Sequence, residues 1–172
     1  MKKGLLSEQS IQKLTEMLIK HEGEKLQVYD CPAGYATIGV GRNLQTKGLS
    51  KAESDRLQIG TYDKNAAIAK LEVRGITKDE SRYLLANDID YFATELDESL
   101  SYFCLLPETA KITLIDMAFN MGVGGLLKFV HTLENIEHGR YIAASKEMLN
   151  SAWKNQVGQR AYDLAEMLAT CQ

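Results

Sequence analysis

The sequence predicts an α+β fold that is mainly α: a small lobe bearing a β-hairpin, a long helix, and an all-α lobe. Three observations carry this. Residues 27–40 alternate apolar and polar positions on either side of a Pro-Gly turn; an apolar stripe runs along one helical face after a capping box at Thr77; and beyond Pro107 the apolar residues recur at helical spacing between glycine breaks. A chain of 172 residues is one domain by size and can bury about two-thirds of its unfolded surface. Apolar residues make up 45% and charged residues 25%, a globular balance that excludes disorder and collagen-like repeats.

Other classes are excluded by charge, cysteines and run lengths. A net charge of −3 gives no basic footprint for nucleic acid. No run of 18 apolar residues exists to span a membrane, and the MKKGLLSEQSIQKL start is too polar for a signal peptide. Cys31, Cys104 and Cys171 are odd in number and widely spaced, which reads as reduced thiols of a cytosolically made protein rather than a disulfide framework or a zinc site. Cys104, between Phe103 and Leu105, is expected to be a small core residue.

Taken in order, Ser7 caps a first helix with Glu8 in its first turn and Leu6 and Ile11 as a staple; Ile11, Leu14 and Leu18 form its apolar face and Gly23 ends it. Glu22 therefore falls in the last turn, where helix carbonyls oppose an anion, a setting suited to a group that must donate a proton. Residues 27–30 and 35–40 are expected as strands, joined by a turn at Pro32 and Gly34. Thr37, Gly39 and Gly41 share one strand face and are expected to look outward as a floor for a ligand, with Ile38 and Val40 facing the core. Ser50 to Glu53 is a capping box opening a short helix, and residues 60–74 are expected to be helical in part. Thr77 to Glu80 is a second capping box; the Leu85, Ile89, Phe92 and Leu96 stripe continues it into a helix of about 78–100.

Pro107 opens a helix that is apolar on nearly every side from Ala110 to Met121, the mark of a central core element, and Gly122, Gly124 and Gly125 end it. Shorter helices follow at 126–130, 132–138, 141–149 and around Ala161, Leu164, Ala165 and Leu168. His131 and His138 have no Cys or carboxylate at ligand spacing and read as surface residues. Gly39-Val40-Gly41 lacks the third glycine and the helix of a dinucleotide loop, and Cys31 with His21 lacks the orienting group and oxyanion site of a thiol hydrolase.

The string Glu22-Gly23, Tyr29, Gly34-Tyr35 and Thr37-Ile38-Gly39-Val40-Gly41 resembles the phage-type lysozymes of glycoside hydrolase family 24. The likeness resumes, in register, at Ile115 to Gly122 and at Trp153 to Arg160, and covers roughly residues 11–168. The resemblance implies a two-lobed lysozyme-like fold, with about 22–75 as the β-containing lobe, 78–100 as the connecting helix, and 101–172 with 7–21 as the helical lobe, the glycan lying in the cleft between lobes. It implies cleavage of the β-1,4 bond between N-acetylmuramic acid and N-acetylglucosamine in peptidoglycan, with no cofactor and no metal, by a monomeric endolysin. Such a protein is made in the bacterial cytoplasm without a signal peptide and reaches the periplasmic wall after the membrane is permeabilised, in the course of host lysis.

Carried over by position, the family's catalytic glutamate, aspartate and threonine fall on Glu22, Cys31 and Thr37. The middle position departs from the pattern, since the aspartate is replaced by cysteine, and the adjacent Asp30 points to the opposite strand face. Glycoside hydrolysis ordinarily uses two carboxyls. Here Glu22 is expected as general acid, with Cys31 and Thr37 ordering and deprotonating the water. A thiol titrates at about 8.5, and a neighbouring Glu22 anion is expected to raise that value, leaving Cys31 largely neutral. Arg160 matches an arginine that lies against the catalytic glutamate. Arg42 and Asp88 match a pair expected to join the lobes, Phe119 and Thr132 match glycan-contacting positions, Trp153 matches a buried aromatic, and Glu147 replaces a polar cleft residue. Hydrolysis with inversion or retention, ring closure to an anhydro sugar by transglycosylation, and a wall-binding module that has lost hydrolysis through the Asp-to-Cys change all stay open at this point.

Overall fold

The computed structural model describes residues 4–171. Ten α-helices and three short strands occur among them, in the order α1 (Glu8–Glu22), β1 (Lys25–Asp30), β2 (Ala36–Gly39), β3 (Arg42–Asn43), α2 (Lys51–Arg56), α3 (Lys64–Arg74), α4 (Lys78–Ser99), α5 (Glu108–Met121), α6 (Val123–Leu126), α7 (Val130–Glu137), α8 (Tyr141–Leu149), α9 (Ala152–Val157) and α10 (Gln159–Ala169). The mainly α, α+β class predicted from the sequence is the class observed. The chain divides into two compact units, one spanning Thr15–Asp88 and the other formed by residues up to Leu14 together with those from Ile89 onward.

In the first of these units the sheet is antiparallel in the order β1-β2-β3, with Tyr29 opposite Thr37, Asp30 opposite Ala36, and Ile38 opposite Arg42. An irregularity interrupts the β1–β2 ladder between Lys25 and Tyr29. Ile38 sits in an apolar cluster with Leu44, Leu57, Ile59, Leu71, Ile76 and Leu84, onto which Leu26 and Val28 of β1 pack. Local sequence sets the helices that frame this core. Ser50 and Glu53 form a complete capping box on α2, Asp63 caps α3 by accepting from Ala66 N, and Thr77 and Glu80 exchange backbone-to-side-chain hydrogen bonds at the start of α4. At 22 residues and about 1.5 Å per residue, α4 is roughly 33 Å long.

Two glycines are demanded by close approach. Gly75 has φ of +65°, and a Cβ built there would stand 2.6 Å from the Leu26 carbonyl oxygen, the same oxygen that accepts Ile76 N at 2.8 Å. Gly39, also at φ +65°, would place a Cβ 3.2 Å from Ser81 Oγ and 3.5 Å from Ile76. The expectation of an open floor is thus corrected at Gly39, which is buried beneath Ile76 and Ser81 at the start of α4; Thr37 is also buried, at 3% exposed.

In the second unit α5 is the central element, with every residue from Ala110 to Ala118 buried. α10 packs against α8 and α5, and α7 against α8. Ser7 N and Ser10 Oγ both donate to the Glu108 carboxylate, the former at 3.0 Å, which ties the start of α1 and the residue ahead of it to the N-terminus of α5. Trp153 is 6% exposed, and its indole N–H donates to Asn120 Oδ1 at 2.8 Å. Cys104 is exposed, contrary to the core position expected for it; Phe103–Leu105 form a 3-10 turn in which Phe103 alone points inward. His131 and His138 are exposed. Among the described residues no helix is long and apolar enough to cross a membrane, and no group of His, Cys, Asp and Glu could hold a metal ion.

Candidate active site

The Thr15–Asp88 unit carries Glu22, Cys31 and Thr37 together. Glu22 is the last residue of α1, half-buried, and Gly23 N closes the helix on Ile19 O at 2.9 Å before Gly23 turns the chain at φ +75° into β1. The hairpin turn is closed twice: Gly34 N donates to Cys31 O at 2.7 Å, and Cys31 N donates to Tyr35 O at 3.0 Å. This extends the register of the Tyr29–Thr37 pair, so Tyr29, Cys31, Tyr35 and Thr37 leave the sheet on one face while Asp30 leaves on the other. Asp30 is exposed and cannot stand in for the missing aspartate from that face.

Cys31 is half-buried, and its thiol is held below the ordinary range. The backbone N–H of Tyr35 is the largest cause, outweighing desolvation, and the Ala33 N–H and the Thr37 hydroxyl add to it. This reverses the direction expected from the sequence. The turn aims amide donors at the sulfur, and donors to the charged form favour it. Thr37 Oγ1 also donates to Tyr35 O at 2.8 Å. A hydroxyl has one proton, so Thr37 can satisfy Tyr35 O while accepting from a protonated thiol, or turn that proton to a thiolate.

Tyr29 enters the same site and was given no role by the sequence. Burial, then the charge of Glu22, then that of Cys31 raise the proton affinity of its phenol, which places the hydroxyl in the field of both groups. Lys25 Nζ lies 4.0 Å from the centroid of its ring.

Beneath the hairpin, Arg42 is 2% exposed. Its Nε donates to Asp88 Oδ2 at 2.8 Å, Nη2 to Glu53 Oε1 at 2.8 Å, Nη1 to Glu53 Oε2 at 3.0 Å, and the Gly48 and Leu84 carbonyls take the rest. Lys47 also binds Asp88, and Asn87 donates to Glu53 at 3.0 Å. Burial pushes the Glu53 carboxyl up, yet Arg42 and the backbone of Ser50 hold it down at about 2. The expected Arg42–Asp88 pair is present, but both residues lie in one unit. It braces that unit instead of joining two lobes, and its bidentate partner Glu53 was hidden in what the sequence shows only as a capping box.

In the other unit Arg160 is buried, with Nε 2.8 Å from Asp116 Oδ1 and Nη2 3.0 Å from Asp116 O; the sequence had not linked it to Asp116. Phe119 is half-buried against Phe92, ring centroids 5.5 Å apart. Thr132 is 2% exposed and borders a depression of about 330 Å³ walled by Phe129, Glu147, Asn150 and Trp153.

A mainly α chain whose small sheet sets a thiol and a hydroxyl on the face of a tyrosine, itself in the field of a helix-terminal carboxylate, has the architecture of a lysozyme-like glycoside hydrolase. Sequence comparison gives the family: the Phage lysozyme model matches residues 19–167, and the chain belongs to the phage lysozyme family, whose members are glycoside hydrolases. It is similar to "Probable T4-type lysozyme 1" of Dictyostelium discoideum, 29% identical over 171 residues, covering 93% of this chain and 95% of that protein. It is similar to "Probable T4-type lysozyme 2" of the same organism, 28% identical over 163 residues, with the same coverage. It also resembles the pre-baseplate central spike protein Gp5 of Enterobacteria phage T4, 28% identical over 167 residues, which are 91% of this chain and 28% of that longer protein.

Proposed function

We propose that this lysozyme cleaves the β-1,4 bond between N-acetylmuramic acid and N-acetylglucosamine in peptidoglycan, with Glu22 as general acid and Cys31 with Thr37 handling the attacking water. The observation that carries this reading is the donor cradle around Cys31: Tyr35 N–H, Ala33 N–H and the Thr37 hydroxyl favour an anion where the family pattern has an aspartate.

Glu22 gives its proton to the glycosidic oxygen as the bond from that oxygen to C1 of the sugar breaks, and the leaving sugar departs as an alcohol. Water adds to C1 from the opposite face of the ring, and its proton passes to the Cys31 thiolate. The Thr37 hydroxyl, released from the thiolate as the sulfur takes the proton, returns to Tyr35 O. Charge is conserved: Glu22 ends as carboxylate and Cys31 as thiol, and one proton transfer through solvent resets the pair. Phe119 and Thr132 are assigned to glycan contact. Like a phage endolysin, the protein reaches its substrate in the periplasm once the membrane has been breached.

Incubating the purified chain with isolated Gram-negative sacculi and identifying the soluble products by mass spectrometry tests the reading. Muropeptides with reducing N-acetylmuramic acid ends are expected. Anhydro ends would replace the water step with transglycosylation, and binding to sacculi without release of fragments would overturn the proposal.

A further inference from the structure

The depression beside Thr132 holds chemistry that the cleavage step leaves unused. Its volume is about 330 Å³, at the small end of the roughly 300–1,000 Å³ of small-molecule sites. One wall is aromatic. Phe129 meets Trp153 edge to face with ring centroids 6.0 Å apart, and the hydrogen bond from the indole N–H to Asn120 fixes the Trp153 plane. Thr132 is 2% exposed, and among the described residues its hydroxyl has no hydrogen-bond partner. Glu147, half-buried on α8, brings a carboxylate to the same depression, and Lys128, exposed in the turn before α7, brings an ammonium. Among the described residues neither of these side chains has an ion-pair or hydrogen-bond partner. No side chain caps the start of α7, so its first N–H groups lack intrahelical acceptors and favour an anion. His131 stands exposed on the same rim.

We propose that this depression is a subsite for a zwitterionic amino-acid end: the distal end of the diamino acid in the peptide carried by N-acetylmuramic acid, its ammonium at Glu147 and its carboxylate at Lys128 and the N-terminus of α7. The inference rests on the reading of peptidoglycan as the substrate. Opposite charges on one depression favour a ligand that carries both, since a ligand with one charge leaves either Glu147 or Lys128 unanswered. A neutral sugar answers neither. The alkyl chain behind the zwitterion lies on the Phe129 and Trp153 wall, and the two charged ends fix its direction. Thr132, assigned to glycan contact, belongs to both surfaces and sets the depression beside the sugar from which the peptide branches.

Titration calorimetry of the whole chain with N-acetylglucosaminyl-N-acetylmuramyl peptides, which hold no bond that the proposed cleavage breaks, reads the subsite directly. The peptide bearing diaminopimelic acid is expected to bind roughly tenfold more tightly than the same peptide with its amine acetylated. A similar gap is expected to the peptide with lysine in that place, which keeps the ammonium and lacks the carboxylate. Glu147→Gln should bring the diaminopimelate peptide to the level of the acetylated one and leave the acetylated one unchanged. Lys128→Met should bring it to the level of the lysine peptide. Equal Kd values for the free and acetylated peptides, or for the diaminopimelate and lysine peptides, overturn the inference; these comparisons need no variant to fold. A preference for the free amine that survives Glu147→Gln overturns it as well, and so does the absence of binding by all three peptides. Digestion of sacculi decides the Glu22 assignment separately, and a protein that neither digests sacculi nor binds these peptides overturns both.

Discussion

Replacing Glu53 with glutamine removes one charge from the buried cluster under the hairpin and leaves its shape nearly unchanged. Glu53 is 4% exposed, so solvent screens its pairing with Arg42 weakly. Its carboxyl is displaced from 4.5 to about 2, which corresponds to roughly 3 kcal/mol of folding free energy at 1.36 kcal/mol for each factor of ten. At pH 7 the Glu53→Gln protein is expected to be less stable by about that amount, a fall in Tm of roughly 6–12 °C for a chain of this size. The pH dependence carries the sharper test. A carboxyl held low in the folded state contributes in full above its unfolded value near 4.5, and the contribution disappears as pH falls toward 2. Urea unfolding of both proteins at intervals from pH 7 to pH 2 should show two stability curves that run parallel above pH 5 and converge below 4.5. A gap that is constant down to pH 2, or smaller than about 1 kcal/mol at pH 7, would refute the reasoning and reduce Glu53 to a helix cap.

Three further outcomes are expected. Gly75→Ala forces a Cβ to 2.6 Å from the Leu26 carbonyl at φ +65°, and should cost on the order of 1–3 kcal/mol in urea unfolding. Asp116→Asn takes the charge from the carboxylate that holds Arg160 in the core and should lower stability by about 3–5 kcal/mol, seen as a lower Tm at neutral pH. Peptide-resolved alkylation with iodoacetamide at neutral pH should label Cys31 faster than Cys171, since backbone donors lower the first thiol while burial raises the second; equal rates would remove the donor cradle from the account.

What could be read from the sequence was mostly local. The capping boxes at Ser50 and Thr77, the stop at Gly23 and the all-round apolar run of α5 each depend on residues within one or two turns, and each lies where it was expected. The strand pair was visible from its alternation, but β3, only Arg42–Asn43, is too short to show a period. Pairings across long separations were the ones lost. Arg42 reaches Glu53 eleven residues away and Arg160 reaches Asp116 forty-four away, and no spacing rule joins such residues. Thr37 was placed outward because alternation gives two faces to a strand and does not say that both will be covered. Cys31 shows the same limit at the site: its neighbours in sequence suggested repulsion by Glu22, whereas the direction of the Tyr35 and Ala33 N–H groups, set by the turn, governs the thiol.

The proposed cleavage turns on the proton carried by Glu22, and the release of reducing muropeptides by Glu22→Gln measures it most directly. Glutamine matches the glutamate in size and cannot donate an acidic proton, so turnover on sacculi should fall by at least the roughly 10²–10⁴-fold that general acid–base catalysis supplies, while the variant melts as a folded protein and still binds the wall. Wild-type rates of release from a folded Glu22→Gln protein would contradict it.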